Sequence, residues 1–253
     1  MRLAPQALLA GVRLATYNEI DSTNAEALRL AAQGERGPLW IVARTQSGGR
    51  GRHGRIWVSE PGNLYTTLLV TDPAPLRHAA ELSFVAALAV YDAVADAAPD
   101  LRGRLTLKWP NDLLGDRRKL SGILIEGEGR AVAIGIGINC RHHPDETAYP
   151  ATDLAALNVN VAADDMLAAL SRTMLARIAQ WDRGAGFAAV RADWLQRAAG
   201  LGRDVRVRLN GRDIAGRFEE LDANGRLLLR HADGRLETIG AGDVFPLDAV
   251  TAD

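Results

Sequence analysis

The sequence predicts an α+β fold, a mixed sheet packed by helices, followed by a small β domain. Three observations carry this. Compact apolar runs and helical spacings are interleaved up to about Gly200. Beyond that point the apolar period becomes two, and tight-turn signals recur within about fifty residues. The chain of 253 residues is long enough for a main domain with a small appendage. The change of pattern near Gly200 to Gly202 divides the chain into 1–200 and 201–253.

Thr23-Asn24-Ala25-Glu26 has the Thr-x-x-Glu form of a capping box, and Gly34 stops the helix that follows. Leu39 to Ala43 and Leu64 to Val70 are compact strand candidates, separated in part by a Gly/Arg-rich loop from Arg44 to Arg55. Ala79 to Ala98 is apolar nearly all round and predicts a helix packed against a sheet. Arg104 to Trp109 alternates as a strand does. Leu120 to Glu126 and Ala131 to Ile138 predict two more strands, joined by Gly127-Glu128-Gly129. Asp164 to Arg183 and Phe187 to Ala199 have helical spacing. Val205, Val207 and Leu209 then alternate with arginines, and Asn210-Gly211 is a strong hairpin signal. Asp222 to Gly225 and Asp233-Gly234 are further turns, with Leu227 to Leu229 between them.

Lysine plus arginine number 30 against 31 acidic residues, so a whole-domain electrostatic grip on nucleic acid is not expected. The single cysteine, Cys140, has no partner for a disulfide or a metal cluster, which fits a reducing compartment. Met1 to Val12 lacks the apolar run of a signal peptide, and no other stretch reads as a membrane span, so the expected location is cytoplasmic. No repeat or low-complexity tract is present.

Four stretches carry candidate chemistry. Gly48-Gly49-Arg50-Gly51-Arg52-His53-Gly54-Arg55 combines backbone freedom with guanidinium forks suited to phosphate or carboxylate oxygens. It suits an anion-binding loop, mobile when empty and ordered when filled; a solvated arginine loop or a nucleic-acid contact would share its composition. It is not a Walker loop, because Gly-x-x-x-x-Gly-Lys-Ser/Thr is absent. Lys108-Trp109-Pro110-Asn111-Asp112 places a cation, an amide and a carboxylate at a strand end, where Lys108 suits phosphate and Asp112 suits Mg²⁺; a plain Pro-Asn-Asp turn anchored by Trp109 is the alternative. Arg117-Arg118-Lys119 opens the strand that continues through Leu120-Ser121-Gly122. Gly135-Ile136-Gly137-Ile138-Asn139 lacks the third glycine and following helix of a dinucleotide fold, and its glycines suit a ligand lying flat on the sheet.

Taken in order, Ser22-Thr23-Asn24, Gln46 with the Gly-Arg loop, Lys108 to Asp112, Lys119 to Leu124 and Gly135 to Asn139 resemble the biotin protein ligase family. The resemblance covers nearly the whole chain. Any one motif is weak; five in the right order are specific. It implies a class II synthetase-like catalytic domain with a small C-terminal SH3-like β-barrel. It also implies a two-step reaction in which biotin and ATP form biotinyl-5′-AMP, then pass biotin to a lysine of a biotin carboxyl carrier protein.

By resemblance, Lys119, Arg52 and Lys108 are the catalytic cations. Ser22, Thr23, Asn24, Gln46, Arg50, Gly51, Arg52, Trp57, Lys119, Gly122 and Asn139 contact biotin or the adenylate, and Asp112 helps hold Mg²⁺. Adenylation brings a carboxylate onto a polyanionic triphosphate, so cations must cancel the repulsion and a closing loop must exclude water. Ser47-Gly48-Gly49 is richer in glycine than is common in the family, and His53 stands where arginine is common. Family members include monomers and homodimers, and an exposed sheet edge would support a dimer. Some carry an N-terminal helix-turn-helix domain and act as repressors. Too few residues precede Ile20-Asp21-Ser22 here for such a domain, so a DNA-binding role is not expected. The alternatives are acyl transfer of the lipoate ligase or octanoyltransferase type, and a non-catalytic biotin sensor.

Overall fold

A computed structural model describes residues 1–145, 147, 149–209 and 211–247. Two sheets organise the chain. The first has seven strands in the order β1 (Arg13–Ile20), β2 (Leu39–Gln46), β3 (Leu64–Thr71), β7 (Ala131–Ile138), β6 (Arg118–Glu128), β5 (Asp112–Gly115) and β4 (Leu105–Lys108). Strands β1 and β2 are parallel, and every other neighbouring pair is antiparallel. The sheet is therefore mixed, as expected.

Its two faces bury different side chains. Along β2, Trp40 and Val42 join the large core, whereas Leu39 and Ile41 join a smaller one on the other face. Burial on both faces explains why Leu39 to Ala43 reads as a continuous apolar run rather than an alternating one. Helix α2 (Thr23–Ala32) supplies Ala27 to the small core. Helices α3 (Leu82–Ala97), α4 (Ala163–Trp181) and α5 (Phe187–Leu195) cover the large one. A short α1 (Pro5–Leu9) docks Ala7 into the same core. By length and composition alone the stretch Arg77–Ala97 is long and apolar enough to cross a membrane, where the sequence led us to expect no such stretch. Its most apolar window is 72% buried inside the protein, against the sheet and α4.

The second sheet runs β11 (Leu236–Ile239), β10 (Leu227–Arg230), β9 (Arg212–Leu221), β8 (Asp204–Leu209) and β12 (Asp243–Pro246), antiparallel throughout. Among the described residues no ladder joins β11 to β12, so backbone pairing does not close the expected barrel. Gly211 lies in the β8–β9 turn with φ +78°, while Asn210 lies outside the described residues. The two sheets share one core. Trp109 Nε1 donates to the Gly225 carbonyl at 3.0 Å, and Phe84 meets Phe187 and Trp194 edge-on. Gly225 has φ +77°, and a Cβ there would lie 2.6 Å from the Phe84 ring, so glycine permits this docking.

The expected capping box is corrected, and two strands appear that the sequence did not mark. The helix cap sits one residue earlier: Ser22 Oγ accepts from Ala25 N, and Thr23 is already helical. Glu26 closes no capping box; it accepts from Tyr17 and pairs with Arg29. Strand β1 (Arg13–Ile20) was unmarked because its half-exposed pattern alternates poorly. Strand β5 was hidden in the turn after Pro110, since four residues are too few to show a period.

Candidate active site

The sheet delivers Ser22 after β1, Gln46 at the end of β2, Lys108 at the end of β4, Asp112 at the start of β5 and Lys119 on β6. All of them line one cavity of about 370 Å³. Thr23, Asn24, Arg50, Gly51, Arg52, Trp57, Gly122 and Asn139 line it too, so the structure brings to one cavity each residue that the family resemblance gives a catalytic, binding or metal role; His53, Arg117 and Arg118 do not line it.

One wall is neutral and fixed by hydrogen bonds. Gln46 Oε1 accepts from Thr23 N at 2.8 Å and from Thr23 Oγ1 at 3.1 Å, and its Nε2 donates to Ser59 Oγ at 2.9 Å. Buried Thr67 donates to Asn24 Oδ1 at 2.6 Å and lies 2.8 Å from Thr23 Oγ1. Asn139 Nδ2 donates to the Thr152 carbonyl, which holds the strand end beside Lys119. The glycines of β7 have a different occupant from the one expected. A Cβ on Gly135 would lie 2.2 Å from Asn24 Oδ1, and one on Gly137 would lie 2.5 Å from the Trp57 ring. The protein's own Asn24 and Trp57 lie flat on the sheet there.

The opposite wall is charged. Lys108 and Asp112 face each other in the β4–β5 register, with Nζ 2.8 Å from the carboxylate. Lys119 Nζ reaches the other Asp112 oxygen at 2.7 Å. Burial alone would raise the Asp112 pKa, but the two ammonium groups outweigh it and hold the carboxyl well below its ordinary range. Each oxygen thus has an ammonium group within ion-pair distance, although Oδ1 makes no hydrogen bond. As arranged, two ammonium groups flank this one carboxylate, which disfavours a divalent cation there. Lys119 lies 5.4 Å from the Trp57 ring centre and Lys108 lies 5.0 Å from that of Tyr149.

The Gly-Arg loop folds over this wall as a miniature hairpin. Gly51 N donates to the Arg55 carbonyl at 2.7 Å, and Trp57 N donates to the Gly49 carbonyl at 2.9 Å. His53 sits at the tip with φ 58°. The loop's cations are held from two sides. Arg50 pairs with Glu126 of β6 at 3.1 Å. Arg55 pairs with Asp243 of β12 at 2.9 Å; Arg52 lies 3.7 Å from the same residue and donates to the Gly242 carbonyl at 3.1 Å. Burial lowers the Arg52 pKa, opposed by Asp243 and Asp112. Burial would likewise raise Asp243, but Arg55 and its neighbouring cations hold it low. Five basic side chains thus meet three carboxylates, leaving a positive site on a chain whose formal net charge is −1.

Thr67, Glu126, Tyr149, Asp243 and Phe245 had no mark in the sequence. Each reaches the site through pairing or packing between segments far apart in the chain. The alternation of Asp243, Val244 and Phe245 was the one available hint, since it puts the first and third on one face. Cys140 is buried, and burial pushes its thiol up to about 12, which leaves it inert.

A mixed sheet with a cation-lined cavity beneath a glycine–arginine loop defines an acid-activating enzyme of the protein-ligase class. The sequence profile of the Biotin/lipoate A/B protein ligase family matches residues 17–142, and that of the biotin protein ligase C-terminal domain matches residues 200–245. The chain is 42% identical over 236 residues to a biotin--[acetyl-CoA-carboxylase] ligase of Paracoccus denitrificans, covering 89% of this chain and 97% of that protein. It is 38% identical to the Mycobacterium tuberculosis protein of the same name, covering 89% and 86%. Its fold matches that of the Aquifex aeolicus biotin protein ligase in complex with biotin and ATP, with TM-score 0.79 and 27% identity, covering 92% of this chain and 97% of that one. The chain belongs to the biotin protein ligase family.

Proposed function

We propose that this chain adenylates biotin with ATP and transfers the biotinyl group to a lysine of a biotin carboxyl carrier domain. The observation that carries the reading is the pairing of a neutral polar wall with a cationic wall in one cavity. Ser22, Thr23, Asn24 and Gln46 offer the neutral donors and acceptors a ureido ring needs. Lys119, Lys108 and Arg52 offer positive charge where a carboxylate meets a triphosphate.

In the first step a biotin carboxylate oxygen bonds to the α-phosphorus of ATP. The bond from that phosphorus to the bridging oxygen breaks, and pyrophosphate leaves with the electron pair. Lys119 and Arg52 neutralise the charge that gathers on the phosphoryl oxygens. In the second step the carrier lysine, as a free amine, attacks the acyl carbon, AMP leaves, and the amide nitrogen loses a proton. Between the steps the Gly-Arg loop and Trp57 keep water from the mixed anhydride.

Mg²⁺ carried by the nucleotide would shield the triphosphate, while Asp112 holds two lysines in place. We take 1–200 as the catalytic domain and 201–253 as the small β domain, and the setting as cytoplasmic. The carrier is the proposed protein partner; no nucleic-acid partner is proposed, and self-association through a sheet edge is secondary. Acyl transfer from lipoate or octanoate and a purely sensing role are not favoured by the relatives. The test is incubation of the chain with biotin, ATP and a purified carrier domain. Label is expected on the carrier's acceptor lysine and absent when that lysine is arginine; label without ATP, or none on the intact carrier, would contradict the reading.

A further inference from the structure

We propose that Glu126 is a positioning residue that joins the neutral wall of the cavity to the covering loop. The inference rests on the biotin-adenylation reading and concerns how the filled site is kept shut.

Glu126 lies near the end of β6, outside every motif the sequence displayed. Its Oε2 accepts from Asn24 Nδ2 at 2.8 Å. Its Oε1 accepts from Arg50 Nε at 3.3 Å and Nη2 at 3.1 Å. One carboxylate thus serves one group from the pocket wall and one from the loop. Asn24 has no slack. Its Oδ1 accepts from Thr67, its Nδ2 also donates to the Leu124 carbonyl, and its side chain lies against Gly135 with no room for a Cβ between them.

The carboxylate and the Leu124 carbonyl together decide which way the Asn24 amide faces. Both can only accept, so turning the amide would set Oδ1 against them. The Thr67 hydroxyl would tolerate either face, because it both donates and accepts. Glu126 makes the shorter of the two bonds, 2.8 Å against 3.3 Å, and so is the main support of the arrangement in which Asn24 meets the cavity.

The ion pair with Arg50 is partly solvated, with side-chain exposures of 39% and 27%. Pairs of this kind contribute little, so the latch releases easily when substrate must enter or the carrier lysine must reach the anhydride. A site whose wall and lid share one carboxylate ties the ordering of Asn24 to closure of the loop.

Two substitutions separate the tasks. Glu126→Gln keeps an acceptor for Asn24 and loses the charge that holds Arg50. Glu126→Ala loses both. Retention of biotinyl-5′-AMP is measured by the half-life of the enzyme-bound adenylate in a chase, and wall integrity by the biotin concentration giving half-maximal ATP–pyrophosphate exchange. Glu126→Gln is expected to shorten the half-life about two- to fivefold, with a smaller change in half-saturation. Glu126→Ala is expected to shorten it as much and to raise half-saturation about tenfold, because the Asn24 amide keeps only its longer bond to the Leu124 carbonyl. Arg50→Met should shorten retention less in the Glu126→Gln background than in the native chain. Unchanged retention in Glu126→Gln, additive effects of Glu126→Gln and Arg50→Met, or equal half-saturation in the two Glu126 variants would overturn the proposal, as would a lowered melting temperature with neither readout moved. If the unaltered chain shows no biotin-dependent exchange, the functional reading falls and this inference falls with it; if exchange is present and only the variants fail, this inference alone falls.

Discussion

Lys119 Nζ lies 2.7 Å from the Asp112 carboxylate, reaching diagonally from β6 to β5, and the carboxylate is shared with Lys108, its register partner on β4. This trio sets a cationic site on a buried anion. Asp112 keeps two lysines close together that would otherwise repel each other, and it does so without cancelling both charges.

Asp112→Asn should therefore cost both stability and chemistry. Leaving two ammonium groups without their carboxylate breaks a buried ion pair, a loss of about 3–5 kcal/mol. For a chain of this size the melting temperature should fall by roughly 10 °C. The pH dependence has a definite sign. The Asp112 pKa is held below its ordinary 3.8, so its stabilisation is full above that value and is lost as pH falls through the folded-state pKa. The gap between the native chain and Asp112→Asn should be constant above pH 3.8 and should shrink below it in acid-unfolding curves. A gap that widens on acidification would contradict the assignment.

Lys119→Ala should lower the rate of pyrophosphate release by about 10²- to 10³-fold, the usual loss when one preorganised charge-stabilising donor is removed. Exchange assays at saturating biotin measure this. Near-normal release would take Lys119 out of the first step.

Arg52→Ala should slow adenylation and let biotinyl-5′-AMP escape about tenfold faster if this half-buried cation covers the anhydride as proposed. Asp243→Asn should produce a milder version, about two- to fivefold, since it loosens Arg52 and Arg55 without removing either. Adenylate retained through gel filtration distinguishes the two. Full retention in both would mean the loop arginines do not cover the intermediate.

Gly137→Ala should act on Trp57. The added methyl would start 2.5 Å from the indole, so the ring must leave the sheet. Overpacking of this kind costs about 1–3 kcal/mol. Tryptophan fluorescence should change and biotin half-saturation should rise, with the fold retained by circular dichroism. Unchanged fluorescence and half-saturation would show that Trp57 is not seated there.

Much of this site was legible in the sequence, for a physical reason. The Gly-Arg loop, Lys108 to Asp112, Lys119 and the β7 glycines are short local patterns whose types already suggest anion binding and close approach. The central strands were legible because burial on both faces makes Leu39 to Ala43 and Ala131 to Ile138 unbroken apolar runs. What escaped lies at edges or depends on distant pairing. β1 is half-exposed, and β5 is four residues long. Thr23 suggested a cap, but the backbone turns one residue earlier, which frees its hydroxyl for Gln46. Glu126 and Asp243 gain their roles only when the loop folds onto them from 76 and 188 residues away in the chain. Nothing near Glu126 marks it, and the alternation of Asp243, Val244 and Phe245 is the one local hint at the other.

The most direct test of the account is biotin-dependent ATP–pyrophosphate exchange by the purified chain, with lipoate and octanoate run in parallel. Exchange is expected with biotin alone. Exchange with lipoate in place of biotin, or no exchange with any of the three acids, would contradict it.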